Sequence, residues 1–181
     1  MNDQEVIERY RKGERDFHGA KLAYSNFEGT NLSGANLSKV SLFAARLHKA
    51  DLTNANLNEA NLTGADLREA NLRGVSLSSA SLTGANLNRA DLTGPGTNLC
   101  GANLTWADLR EVNLANVDLS GANLTGAKLT RANLSGANLQ GANLIDAKLN
   151  DADLSGANLM DAKLIATNFS GAVMPDGKKR D

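Results

Sequence analysis

The chain has 181 residues, with 19 Lys and Arg against 20 Asp and Glu, a formal charge of −1. That balance argues against a nucleic-acid binder, whose footprint is basic. The single cysteine, Cys100, excludes an intrachain disulfide framework and a cysteine-only metal cage, and no apolar run reaches the roughly 18 residues that a membrane span needs.

The N-terminal stretch Met1 to Tyr10 holds three acids and no hydrophobic run, unlike a targeting peptide, so a cytoplasmic address is expected. Asn2 or Asp3 can cap a helix, with Glu5 at capping-box spacing from Asn2. Val6, Ile7 and Tyr10 share one side of that helix and Gly13 ends it. The reading is a helix over residues 3–12 within an N-terminal cap, 1–14, laid over the start of the main body.

From Phe17 the chain repeats with a period of five. A bulky apolar residue stands at Phe17, Leu22, Phe27, Leu32 and onward to Leu92, then from Leu99 to Met174 after a two-residue slip. Of 32 such centres, 28 are Leu, three Phe and one Met, and the residue two before the centre is Ala in 23 cases. With aromatics only 4% of the chain, leucine must fill the interior. Five steps at 100° each leave no single helix face. On extended backbone the centre and the residue two before it point the same way, but five is odd, so a continuous strand would throw the next Leu outward. The chain therefore turns once per pentad. Glycine marks the corner: 14 of 17 glycines fall two residues after a centre, where Asn54 and Asn116 also stand, as a turn needing positive φ would select.

The charges give the number of sides. Stepping by 20 through the corner column, and allowing for the slip, gives Gly29, Lys49, Glu69, Arg89, Glu111, Arg131, Asp151 and Gly171. Six charges alternate in sign; steps of 15 or 10 show no such order. Strands stacked about 4.8 Å apart reward opposite charges, so four pentads make one coil and 32 make about eight. The neighbouring column is less tidy, because it stacks Lys128 on Lys148. The result is an all-β solenoid over 15–174, with Gly94-Pro95-Gly96-Thr97 as a small protruding loop and 175–181 as a C-terminal tail whose charged end is expected to be mobile.

The motif, as in Ala35-Asn36-Leu37-Ser38-Lys39 and Ala65-Asp66-Leu67-Arg68-Glu69, resembles the pentapeptide-repeat family over about 160 residues. The resemblance implies a right-handed quadrilateral β-helix with Leu and Ala inward. The lead-in Ile7-Glu8-Arg9-Tyr10 to Gly13-Glu14-Arg15-Asp16-Phe17 and the ending Met174-Pro175-Asp176-Gly177 are similar to cyanobacterial members, including a regulator of heterocyst differentiation. Quinolone-resistance members dimerise through the C-terminal end. Whether Ile165, Phe169 and Val173 close that end alone or against a second copy, making monomer or dimer, stays open.

No constellation for catalysis stands out. His18 and His48 fall on opposite sides of the rod, Cys100 points outward in a column with Ser78 and Ser120, and Asp51, Asp91 and Asp153 occupy the slot usually given to Asn. No enzyme activity, cofactor, metal, nucleic acid or membrane is expected. One side is neutral through its middle and shows Phe43, Thr63, Thr83, Thr105, Thr125, Ile145 and Ile165, with the only tryptophan, Trp106, on its edge between Gly84 and Gly126. The candidate contact face is Phe43, Thr83, Thr105, Trp106, Ile145 and Ile165; Lys49, Glu69, Arg89, Glu111, Arg131 and Asp151 form a structural charge ladder. The expected function is a rigid protein–protein interaction module with a regulatory role and an unidentified protein partner. The alternative is a DNA mimic that binds or protects gyrase or topoisomerase, which needs a strongly acidic surface.

Overall fold

A computed structural model describes residues 1–181. Each pentad contributes one parallel β-bridge from the residue before its centre, then a tight turn. The bridges join residues 20 apart, and 22 apart across the loop: Asp16, Asn36, Asn56, Ser76, Asn98, Asp118, Asn138 and Asn158 form one such ladder of eight levels. Three companion ladders run beside it, so the chain climbs in four-sided coils. At about 4.8 Å per level the stack is about 34 Å tall.

The pentad sequence explains its own geometry. The centre carbonyl accepts a hydrogen bond from the N–H three residues on, as Leu124 does from Ala127 at 3.0 Å. The third residue of that turn has positive φ, as type II turns require. The corner conformation is imposed whatever the residue: Lys49, Glu69, Trp106 and Ala166 all sit between +55° and +58° there. The residue before the centre is Asn or Asp because its Oδ1 accepts from the N–H two residues on, as Asn123 does from Thr125 at 3.1 Å and Asp153 from Ser155 at 2.9 Å. Coil-to-coil bonds then pair the remaining backbone groups, as where Leu37 donates to Asn56 and Asn56 to Ala35.

Leucine and alanine columns fill the axis. Leu104, Leu124 and Leu144 are fully buried, as are Ala107 and Ala127; each such leucine contributes roughly 1.5–3 kcal/mol on burial. The first coil is covered by α1 (Asp3–Arg11), whose N-cap is Asn2. Asn2 Oδ1 accepts from the Glu5 N–H at 2.9 Å, while the Glu5 carboxylate lies 3.6 Å from Arg9. Val6 is wholly buried, the Tyr10 hydroxyl donates to the Ser33 carbonyl at 2.8 Å, and Asp3 accepts the otherwise unpaired N–H of Asn26 at 3.0 Å. The N-terminal edge is thus partly satisfied by the helix's own side chains.

The loop keeps the phase of the stack. Pro95 and Gly96 are exposed, while Thr97 is buried and its hydroxyl donates to the Thr93 carbonyl and accepts from the Gly74 N–H at 2.8 Å. Thr97 takes the inward small-residue slot and ties the bulge to the coil below.

Two expectations fail at the C-terminal end. The tail is folded, not loose: Val173 pairs antiparallel with Lys179, Gly171 donates to the Arg180 carbonyl and Arg180 to the Ala172 carbonyl, both at 2.8 Å. The Arg180 guanidinium lies 5.5 Å from the centre of the Phe169 ring. Nor do all leucines point into the core with equal burial. The tail covers only half of the last coil, so Leu159 is half-buried and Leu164 is 38% exposed. On that open half the N–H groups of Leu159, Asp161, Leu164 and Ala166 meet no backbone acceptor. No helix is long and apolar enough to cross a membrane.

Candidate functional site

The neutral side is assembled by stacking, one residue per coil. Phe43, Thr63, Thr83, Thr105, Thr125, Ile145 and Ile165 follow successive centres of one column, so the bridge register places them in a line. The threonines and Ile145 are half-buried, Phe43 is 37% exposed and Ile165 71%. The Thr105 and Thr125 hydroxyls each donate to the Asn two residues earlier at 2.6 Å, which turns them flat against the wall.

Trp106 stands out from this wall. It occupies a corner with φ of +58°, where glycine is at home and a bulky side chain costs about 1–2 kcal/mol. Its ring lies across the bare Cα of Gly126 in the next coil: a methyl built at Gly126 would come within 2.7 Å of Cδ2 and closer still to Cε3 and Cζ3. Gly84, one coil below, has nothing near it. The ring therefore packs upward only, not between two glycines as its column suggested. Other corner side chains lean the same way: Asn54 over Gly74, Asn116 over Gly136 and Asp151 over Gly171. Gly126 is buried under the indole, yet Trp106 stays 61% exposed. Packing on backbone and presentation to solvent coexist.

Sequence reasoning missed Tyr24. It lies in the same corner column as Trp106, with φ of +61°, and is 72% exposed. Its ring meets Phe43 edge to face, 5.5 Å between centres and 81° between planes. The column position alone was enough to find it. Met160, 61% exposed in the last coil, was also missed, because the repeat register marks it only as outward.

The ladder column is largely self-neutralising. Lys49 lies 3.6 Å from Glu69, and Glu111 is bracketed by Arg89 at 2.8 Å and Arg131 at 3.3 Å. The steps Glu69 to Arg89 and Arg131 to Asp151 form no ion pair, and Asp151 leans over Gly171 instead. Apart from the half-buried Glu111 these groups are exposed, where such pairs contribute about 0–1 kcal/mol. Beside the ladder, Arg68 clamps Asp66 and Arg110 clamps Asp108. The Arg68 hydrogen bonds hold the Asp66 carboxyl below the usual carboxylate range against its partial burial. The Arg89 hydrogen bond does the same for Glu111.

The remaining candidates stay apart. His18 Nδ1 lies 2.9 Å from Ser38 Oγ and His48 Nδ1 2.9 Å from the Arg68 carbonyl, on different sides. Cys100 is exposed. Asp51 and Asp91 accept from Thr53 and Thr93, the role Asn plays elsewhere. The clefts are superficial: one of about 490 Å³ between α1 and the first coils, lined by Ile7, Tyr10 and Arg15, and one of about 390 Å³ beside the loop.

The family model for pentapeptide repeats matches in eight copies, over residues 16–48, 45–84, 55–94, 96–126 and 137–174. No curated protein is detectably similar in sequence. Among solved structures, the chain is similar to HetL, a pentapeptide repeat protein involved in heterocyst differentiation regulation from the cyanobacterium Nostoc sp. strain PCC 7120. The identity is 33% over 99% of this chain and 100% of that one, with a TM-score of 0.33. It is also similar to a trypsin-treated form of QnrB1, a plasmid-mediated fluoroquinolone resistance protein: 24% identity, 85% and 84% of the two chains, TM-score 0.43. A third is Rfr23, a pentapeptide repeat protein from the cyanobacterium Cyanothece 51142: 27% identity, 91% and 94%, TM-score 0.26. The chain belongs to the pentapeptide-repeat family, whose fold is the right-handed quadrilateral β-helix.

Proposed function

We propose that this protein is a non-catalytic interaction module, regulatory in role, that offers its neutral side to a protein partner. The observation that carries the reading is Trp106: a large ring in a conformation suited to glycine, seated on the buried Gly126 backbone and still 61% exposed. Exposed aromatic anchors on rigid scaffolds are where interface energy concentrates. Phe43, Thr83, Thr105, Ile145 and Ile165 extend the face along the rod. A rod whose interior is filled by leucine, and whose clefts are shallow, acts through what it holds. DNA mimicry finds little support, because the acids of the ladder side are interleaved with and clamped by arginines.

The test is affinity capture from the native host with the wild type, Trp106→Ala and Ile145→Arg, each checked for unchanged far-ultraviolet circular dichroism. Loss of the captured protein in both variants is expected. Full retention in both removes this face from the account.

A further inference from the structure

The corner beside Trp106 has a charge pattern found nowhere else on the rod. Lys128 lies two residues after Gly126, the glycine beneath the indole, and Lys148 is bridged directly above Lys128. Theirs is the one like-charged pair among the parallel bridges; the other bridged charges, Arg46 with Asp66 and Asp108 with Lys128, are opposite. Both lysines are exposed and neither forms an ion pair. Asp108, below Lys128, is already held by Arg110 at 2.5 Å. Asp146, at the corner of the next coil, is also exposed and unpaired, and its single charge leaves the two lysines in excess.

We infer that the partner segment bound at Trp106 is acidic, laying an apolar side chain on the indole while its carboxylates bridge Lys128 and Lys148. The inference rests on the interaction reading above and adds the chemistry of the partner. Carboxylates set between two stacked ammonium groups relieve a repulsion that the coil itself leaves unrelieved, which is the complementarity that fixes register and speeds association. A nucleic-acid strand fits less well. Two uncompensated cations supply about two phosphate contacts, where proteins held by the backbone use about 6–10.

The experiment selects binders from a random 12-residue peptide library displayed on phage against the full-length protein. Selected peptides are then titrated onto the wild type, Trp106→Ala and Lys128→Glu, with oligo-dT of 20 nucleotides as a parallel ligand. Lys128→Glu makes the step to Lys148 attractive and the step to Asp108, which Arg110 already pairs, repulsive; both steps lie at the surface, and unchanged far-ultraviolet circular dichroism checks that the fold is retained. Expected are peptides with Asp or Glu flanking an aliphatic or aromatic residue, affinities that fall about tenfold or more in Lys128→Glu, and a further fall as salt rises. Loss in Trp106→Ala with full binding in Lys128→Glu overturns the acidic-partner inference and leaves the face. Full binding in both overturns both. Peptides without acidic bias, failure to enrich any peptide, or oligo-dT binding that Lys128→Glu abolishes each overturn the inference.

Discussion

Replacing Gly126 with alanine separates the two things this position does. Its φ is +64°, so any side chain there meets the left-handed penalty of about 1–2 kcal/mol. Gly84, at +63° with nothing within 4 Å, meets that penalty alone. At Gly126 the new methyl also lies within 2.7 Å of the indole Cδ2, whereas carbon atoms rest at about 3.5–4.0 Å. The Trp106 ring must lift by about an ångström or more and give up its contact with the backbone. Gly84→Ala is therefore expected to cost about 1–2 kcal/mol, and Gly126→Ala about 1 kcal/mol more, a coupling ordinary for residues in contact. In the background of Trp106→Ala the two glycine substitutions become equal. The assay is urea unfolding followed by circular dichroism. In the variants that keep Trp106, emission from this only tryptophan adds a second reading: it shifts to the red in Gly126→Ala and stays in place in Gly84→Ala. Equal costs for the two substitutions with Trp106 present, together with unchanged emission in Gly126→Ala, refute the packing of the indole on Gly126.

Other outcomes rest on the same geometry. Leu104→Ala, in the fully buried column, should lose about 2–5 kcal/mol in urea unfolding, while Leu164→Ala, on the open end, should lose under about 1 kcal/mol. Ala44→Gly, at φ of +51°, should stabilise by about 0.5–1 kcal/mol and raise the melting temperature. Asp66 and Glu111 titrate below their unfolded values of about 3.9 and 4.3, so their contribution is complete at pH 7 and is lost as the pH falls through the depressed folded values. Acid unfolding should steepen below about pH 4, and Arg68→Gln with Arg89→Gln should flatten that decline. Because α1 covers one end and the tail half of the other, we propose that self-association closes at two copies through Met160, Leu164 and Ile165. Sedimentation equilibrium should then give twice the 19.0 kDa chain mass, and Leu164→Arg should restore the single mass.

The coil was legible because its determinants are periodic. The leucine column, the Asn and Asp slot and the alternating charges of Lys49 to Asp151 each report a step of 20, and the bridges run at that step. The cap was legible for a different reason: Asn2 and the apolar spacing of Val6 and Tyr10 are local signals. What was hidden is set by the ends and by direction. A period says nothing about where stacking stops, so Leu164 reads like Leu144 although one is exposed and the other buried. The tail residues 178–180 read as charged and polar, but their pairing uses backbone groups that the last coil leaves free, which no side-chain pattern encodes. That Trp106 leans onto Gly126 and ignores Gly84 is due to the handed geometry of the corner, shared with Asn54 and Asn116. The exposure of Tyr24 is a consequence of its column, once the corner is known to point outward.

The central claim is that one side of the rod meets the partner. Photo-crosslinking tests it at a single level: a photoreactive residue at Ile145 and, on the opposite side of the same coil, at Ser155, both half-buried. A crosslinked partner is expected from position 145 and none from 155. Crosslinking from 155 that equals or exceeds that from 145 contradicts it.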